Sequence, residues 1–246
     1  MLEHVLDAAV GAGATRLVLV VGYGEDAVRE HVGDEFRGVP VIYAVQGSQE
    51  GTAHAVAAAR AHLEDAPFAV LAGDNLYDAP SMSSLFESGP AMGAYRVDDP
   101  RPYGVFELDD DGDSDGVGAA DGGSHRVTGV VEKPDDPPSD LINASAYVFP
   151  AAALSWLDVE ESERGEYELT DVLARVIDEG DVRAVEFERW LDVGRAWELL
   201  EANEWKVGEL ERSIDGDVHE GADVVGDVVV EAGATVRAGV VVEGPA

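Results

Sequence analysis

Phe68-Ala69-Val70-Leu71-Ala72-Gly73-Asp74-Asn75 is a short apolar run that stops on Gly-Asp-Asn. With no polar alternation it reads as a strand buried on both faces, the kind found inside parallel sheets. In an open α/β sheet, ligands bind just beyond the carboxyl ends of such strands. Asp74 falls at that end. A carboxylate there, beside a glycine that permits close approach, suits Mg²⁺ and the phosphates it bridges. The competing reading makes Asp74 a cap for the next helix, a position aspartate favours.

Outward from this run, strands and helices alternate. Apolar residues at 1, 2, 5, 6, 9 and 10 form a helical stripe ended by Gly11 and Gly13. Leu17 to Val21 reads as a strand, Asp26 to Val32 as a helix, Val39 to Val45 as a strand and Thr52 to Leu63 as a helix. This spacing is the βαβ signature and predicts an α/β fold with a right-handed, mostly parallel sheet. From Ala91 the pattern turns to short strands: 91–97, 103–108, 126–132 and 142–149. Asp109 to Gly123, almost wholly Asp, Gly, Ala and Ser, reads as a solvated loop. A helix over 168–179, strands over 182–187 and 190–193, and a helix over 195–210 follow.

The tail differs. Val218, Val224, Val230, Val236 and Val242 recur every six residues, and Ala222, Val228, Ala234, Val240 and Ala246 each follow four residues later. One aliphatic and one small inward position per hexapeptide is the period of a parallel β-helix, where a plain strand pair would show period two. The expected division is 1–210 for the α/β domain and 211–246 for the first coils of the β-helix.

Composition narrows function. Against 51 acidic residues stand 16 basic ones, a net charge of −35, and there is no cysteine. Thiolate metal sites and disulfides are excluded. So strong a negative field argues against nucleic acid or an anionic membrane as partner. It resembles the surfaces of proteins from salt-loving archaea, whose salt screens self-repulsion. No signal peptide or membrane-length apolar run is visible, so a cytoplasmic protein is expected.

Several segments taken together resemble the sugar-1-phosphate nucleotidylyltransferases, in particular the archaeal glucose-1-phosphate thymidylyltransferase and N-acetylglucosamine-1-phosphate uridylyltransferase type with a C-terminal left-handed β-helix. They are Gln46-Gly47-Ser48-Gln49-Glu50-Gly51-Thr52-Ala53-His54-Ala55, Gly73-Asp74-Asn75, Tyr103-Gly104-Val105, Val131-Glu132-Lys133-Pro134, Asn143-Ala144, Glu166 to Asp171, and Trp190-Leu191-Asp192-Val193-Gly194. The resemblance implies a Rossmann-like domain that joins UTP or dTTP to a sugar 1-phosphate and releases pyrophosphate. Asp74 and Asp192 match the family's Mg²⁺ ligands. Gln46 would read the pyrimidine edge, because an amide both donates and accepts. Gly51 and Thr52, at a helix start, suit an anion or a base carbonyl, and Thr52 doubles as a candidate N-cap. Gly104 would let the sugar approach the backbone, and Glu132 and Asn143 would bind its hydroxyls. Lys133, one of two lysines in the chain, suits the sugar phosphate. Glu166 to Asp171 would shape the pocket wall and cap the following helix. His54 is left a structural role.

The family's first strand and glycine-rich, basic loop have no counterpart here, since Met1 to Leu6 matches the helix after them. The resemblance therefore implies a sheet lacking a central strand, a chain begun internally and clipped in its last coil, and impaired activity. A catalytically silent nucleotide-sugar-binding subunit is the alternative. Membership of a bifunctional protein with a β-helix acyltransferase is a further one. In a full-length protein the β-helix would support a homotrimer. UTP against dTTP, and glucose against N-acetylglucosamine, stay open.

Overall fold

The apolar stripe at the start folds as α1 (Leu2–Gly11), which buries Val5, Leu6, Ala8 and Ala9. The computed structural model describes residues 1–63, 65–109, 125–162 and 165–246, so most of the expected 109–123 loop lies outside the described residues. The chain divides into two units, Met1–Trp190 and Leu191–Ala246.

In the first unit, β1 (Leu17–Val21), α2 (Glu25–Val32), β2 (Glu35–Phe36), β3 (Val39–Val45) and α3 (Thr52–Ala59) follow in order. β1 and β3 pair in parallel from Leu17↔Val41 to Val21↔Val45, and β2 forms a hairpin with β3. β4 (Phe68–Leu71) and β5 (Asn75–Tyr77) come next. Then α4 (Ala79–Glu87), unforeseen in the sequence, starts on Asp78, whose side chain accepts from the Ser81 N–H. β6 (Ala91–Arg96), β7 (Gly104–Leu108), β8 (His125–Glu132), β9 (Leu141–Phe149), α5 (Leu169–Glu179) and β10 (Arg183–Glu186) follow.

β4, β9, β6, β10, β8 and β7 form one sheet in that order. Among the described residues only its β6–β10 contact is parallel, and the β4–β9, β6–β9, β10–β8, β7–β8 and β7–β9 contacts are antiparallel. The sheet is mixed as expected, but the expected predominance of parallel pairs is wrong. β9 inserts antiparallel between β4 and β6, which a local strand–helix alternation does not encode.

Three apolar clusters hold the unit. α5 presents Val172, Leu173 and Val176 to Met92, Phe106, Val127 and Phe149. Val5 joins Tyr77, Met82, Leu85 and Phe187. Leu6 joins Leu17, Val32 and Val41. Each such side chain contributes about 1.5–3 kcal/mol on burial.

β1 pairs with β3 and β4 with β9, and these two strands end their sheets. Residues of both, together with α1 and α3, line one groove of about 1140 Å³. Phe68–Leu71 is therefore only half-buried, and the expectation of burial on both faces fails. The apolar run faces a groove where a neighbouring strand would otherwise cover it.

In the second unit, α6 (Glu198–Gly208) precedes six short strands, the first at Ser213–Ile214 and the last at Val241–Glu243. Asp217 pairs in parallel with Thr235, and Asp223 with Val241, each 18 residues on, or three hexapeptides. The recurring valines at 218, 224, 230, 236 and 242 are all at least half-buried, whereas Val225 and Val241 are exposed.

Candidate functional site

The groove gathers residues far apart in sequence. Gln46 and Thr52 come from the β3–α3 connection, Glu132 from the end of β8, Asn143 and Ser145 from β9, and Glu166, Glu168 and Thr170 from the start of α5. A second recess of about 630 Å³, lined by Gly22, Tyr23, Val45 and Gln49, shares Gln46 with the groove.

The turn carrying Asp74 is tied to the middle of β9. The register of β9 against β6 shifts between Met92 and Ala94. There the carbonyl of Ala144 accepts from Asn75 Nδ2 at 3.3 Å and from Trp190 Nε1 at 3.0 Å. The carbonyl of Ser145 accepts from the Tyr77 hydroxyl at 3.0 Å and from the Ala72 N–H at 3.1 Å. These bonds satisfy groups that the irregular strand would leave unpaired. They tie the turn of Gly73 and Asp74 on both sides to the β9 backbone, through Ala72 before it and Asn75 after it. Asp74 itself is exposed in a turn after β4. Asp78, not Asp74, caps α4, so the capping alternative for Asp74 falls.

Asn143 is fixed at both ends. Its Nδ2 donates to the Tyr147 hydroxyl at 2.8 Å and its Oδ1 accepts from the Ser145 N–H at 3.0 Å. One N–H and one lone pair of the amide remain for a ligand. Burial pushes the Tyr147 phenol up to about 12, partly offset by the Asn143 and Ser145 contacts.

Gly104 meets the same cluster. A Cβ placed there would stand 3.1 Å from Glu132 Oε2 and 3.7 Å from Asn143 Cβ, so glycine keeps this corner open. Lys133 follows Glu132 with φ +46°, unusual for a side-chain-bearing residue, and its N–H donates to the Tyr103 carbonyl at 2.9 Å. Its ammonium lies 3.7 Å from Glu132 Oε1. Neither Asp74 nor Lys133 lines the groove, but each is next in sequence to a residue that does. Asp192 lies in the second unit, in the strand Trp190–Asp192.

Gly51 has φ +120° and is the N-cap of α3, so Thr52 is not the cap. A Cβ on Gly51 would sit 2.4 Å from the Tyr167 carbonyl oxygen. That carbonyl accepts from the Ala53 N–H at 2.9 Å, which leaves fewer donors at the start of α3 for an anion. Thr52 Oγ1 accepts instead from the Leu169 N–H at 3.0 Å and so caps α5. Within Glu166 to Asp171, Glu168 is the N-cap residue of α5, but its side chain makes no capping hydrogen bond. His54 is the residue sequence reasoning undervalued. Its Nδ1 is 3.1 Å from Gln46 Nε2, and its ring lies against Tyr167. No spacing rule signals this, since the 47–51 turn alone brings the two together.

Among the described residues no group of three or more His, Cys, Asp or Glu converges as a metal cage, and no helix is long and apolar enough to cross a membrane.

The sequence profile of the nucleotidyl transferase family matches residues 1–207. The chain belongs to that family. The chain is 36% identical to a glucose-1-phosphate thymidylyltransferase of Streptomyces antibioticus, over 96% of this chain and 65% of that protein. It is 31% identical to the bifunctional protein GlmU of Methanocaldococcus jannaschii, over 95% of this chain and 53% of that one. It thus spans just under two thirds of the first and about half of the second. The UTP–glucose-1-phosphate uridylyltransferase AglF of Haloferax volcanii is 34% identical over 79% of this chain and 78% of its own length. In fold, the chain resembles a UDP-glucose pyrophosphorylase solved with UDP-glucose, at TM-score 0.71 and 18% identity, covering 84% of this chain and 86% of that one.

Proposed function

We propose that the protein transfers a nucleotidyl group from UTP or dTTP to a sugar 1-phosphate, giving a nucleotide-sugar and pyrophosphate. The observation carrying this is the groove that gathers Gln46, Thr52, Glu132 and Asn143 from separate elements beside the Gly73-Asp74 turn. Relatives named for thymidylyl and uridylyl transfer to glucose 1-phosphate support the class and leave the base open.

In the reaction the sugar phosphate oxygen attacks the α-phosphorus, and the bond to pyrophosphate breaks in line. The protein's part is positioning and charge neutralisation. Gln46 reads the base. Gly51 lets the Tyr167 backbone pack against the start of α3, and Thr52 ties that start to α5, which shapes the nucleotide side of the groove. Gly104, Glu132 and Asn143 hold the sugar, and the Lys133 ammonium faces its phosphate. Mg²⁺ takes one or two carboxylates and fills the rest of its shell with water and phosphate oxygens, so an exposed Asp74 on a tied turn suits it without a protein cage. Held there, such an ion would neutralise charge on the phosphates. Asp192 is assigned as a second ligand from its sequence match alone.

We further read residues 211–246 as coils of a hexapeptide-repeat left-handed β-helix following a domain over 1–210. The 18-residue parallel pairings support this reading, and such a β-helix would support a trimer. The acidic surface is read as an adaptation to a salty cytoplasm.

The test is pyrophosphate release in molar KCl with Mg²⁺, pairing UTP and dTTP with glucose 1-phosphate and N-acetylglucosamine 1-phosphate. Turnover abolished by Asp74→Asn supports the proposal. Binding of UDP-glucose without turnover would favour the silent binding subunit, and no binding at all would refute both.

A further inference from the structure

Gln46 and His54 constrain each other more tightly than either residue suggests alone. Gln46 Nε2 lies 3.3 Å from the Gly51 carbonyl oxygen and 3.1 Å from His54 Nδ1. A carbonyl only accepts, so the NH₂ end of the amide must face it. Turned the other way, Gln46 would set two acceptor oxygens against each other. With Nε2 so placed, the second hydrogen of the amide points to His54 Nδ1, which must then carry no proton. The imidazole is therefore the neutral Nε2–H tautomer. The Gly51 carbonyl is itself held in place, because φ +120° and the crowding by Tyr167 allow the backbone little freedom. The His54 ring rests against Tyr167, whose own N–H and C=O are bonded to Glu50 and Ala53.

Both amide hydrogens are thus engaged. What Gln46 presents is Oε1, an acceptor alone, where the sequence suggested an amide that donates and accepts at once. Gln46 lines both the groove and the adjoining recess, which puts its amide where a ligand would bind.

We propose that His54 is a positioning residue that locks Gln46 as a hydrogen-bond acceptor and so sets the base preference of the site. A base offering a ring N–H is taken, as uracil and thymine do at N3. A base offering a lone pair there is refused, as cytosine does. The inference rests on the proposed function, in which Gln46 reads the base. Without an acceptor at Nδ1 the amide would be held by the Gly51 carbonyl alone, one hydrogen bond in place of two, and the refusal of cytosine would weaken.

The experiment measures binding of UTP and CTP by titration calorimetry in molar KCl for the wild type, His54→Leu, His54→Asn and Gln46→Ala. Asn offers an acceptor oxygen close to where Nδ1 stood, and Leu offers none. The wild type is expected to favour UTP. His54→Leu should shrink the UTP:CTP ratio by about tenfold, the size of one hydrogen bond's discrimination, while His54→Asn stays within about threefold of the wild type. An unchanged ratio in His54→Leu, or an equal loss in His54→Asn, overturns the role of His54. If Gln46→Ala also keeps the wild-type ratio, or the wild type binds neither nucleotide, the base-reading function fails and the inference with it. The wild-type ring provides a measurement independent of folding of the variants. Its ¹⁵N shifts should show His54 Nδ1 unprotonated and hydrogen-bonded, and a proton on Nδ1 would overturn the inference.

Discussion

Asn143 Nδ2 donates to the hydroxyl of Tyr147 at 2.8 Å, and through this bond a buried phenol orients the amide at the floor of the groove. Tyr147→Phe removes the acceptor and little else. The expected cost is about 1 kcal/mol of stability, with a three- to tenfold rise in KM for the sugar 1-phosphate and a nearly unchanged kcat. Thermal unfolding and initial rates check both. A fall in kcat alone would place Asn143 outside the sugar site.

The same phenol sets an alkaline limit. Burial raises its pKa to about 12, above the ordinary value of 10. As pH climbs past about 10 the unfolded chain loses this proton first, so it binds fewer protons than the folded chain and stability falls with pH. The contribution is whole below about pH 10 and gone by about pH 12, on the order of 2–3 kcal/mol. Tyr77, raised by burial too, acts in the same direction. Urea unfolding at pH 8, 10 and 11 should show the loss, shallower in Tyr147→Phe.

Gly51 and Gly24 give a matched pair of glycine tests. Both have positive φ, but an added Cβ meets backbone at 2.4 Å in Gly51 and nothing within 4 Å at Gly24. Gly51→Ala should cost about 3 kcal/mol or more, and Gly24→Ala about 1 kcal/mol. Equal losses in denaturant unfolding would mean that the contact with Tyr167 is unimportant.

Asp78 serves two backbone donors, with Oδ1 accepting from Ser81 N–H at 2.9 Å and Oδ2 from Arg189 N–H at 3.1 Å. Asp78→Ala should cost about 1–3 kcal/mol, and Asp78→Asn, which keeps one acceptor, clearly less. Equal losses would show that only the charge matters.

A net charge of −35 repels itself strongly in dilute buffer. Raising KCl from 0.1 M to 2 M should raise Tm, each kcal/mol gained being worth about 2–4 °C, because the screening length shrinks from about 10 Å to under 3 Å. A Tm independent of salt would remove the grounds for reading the surface as a salt adaptation.

Local pattern placed much of this fold. The stripe of Met1 to Val10, the strand Val39–Val45 and the valines spaced by six all declare themselves through periods set by backbone geometry. Family membership was legible in the same way, through ordered motifs from Gln46 to Asp192. α4 was missed although Asp78 and Pro80 mark its start, because its apolar residues form no long stripe. The parallel character expected for the sheet failed because strand order depends on long-range pairing, and β9 enters antiparallel between β4 and β6.

By itself, the sequence determined most of the helices and strands, the repeat of the tail, the charge and the chemical types at the site. Tertiary structure alone decided that Thr52 caps α5, that Asp78 rather than Asp74 caps α4, that Tyr147 fixes Asn143, and that His54 holds Gln46. The reason is physical. Periodicity and propensity act within a few residues, whereas these hydrogen bonds close only when turns and bulges bring separate segments within about 3 Å of one another.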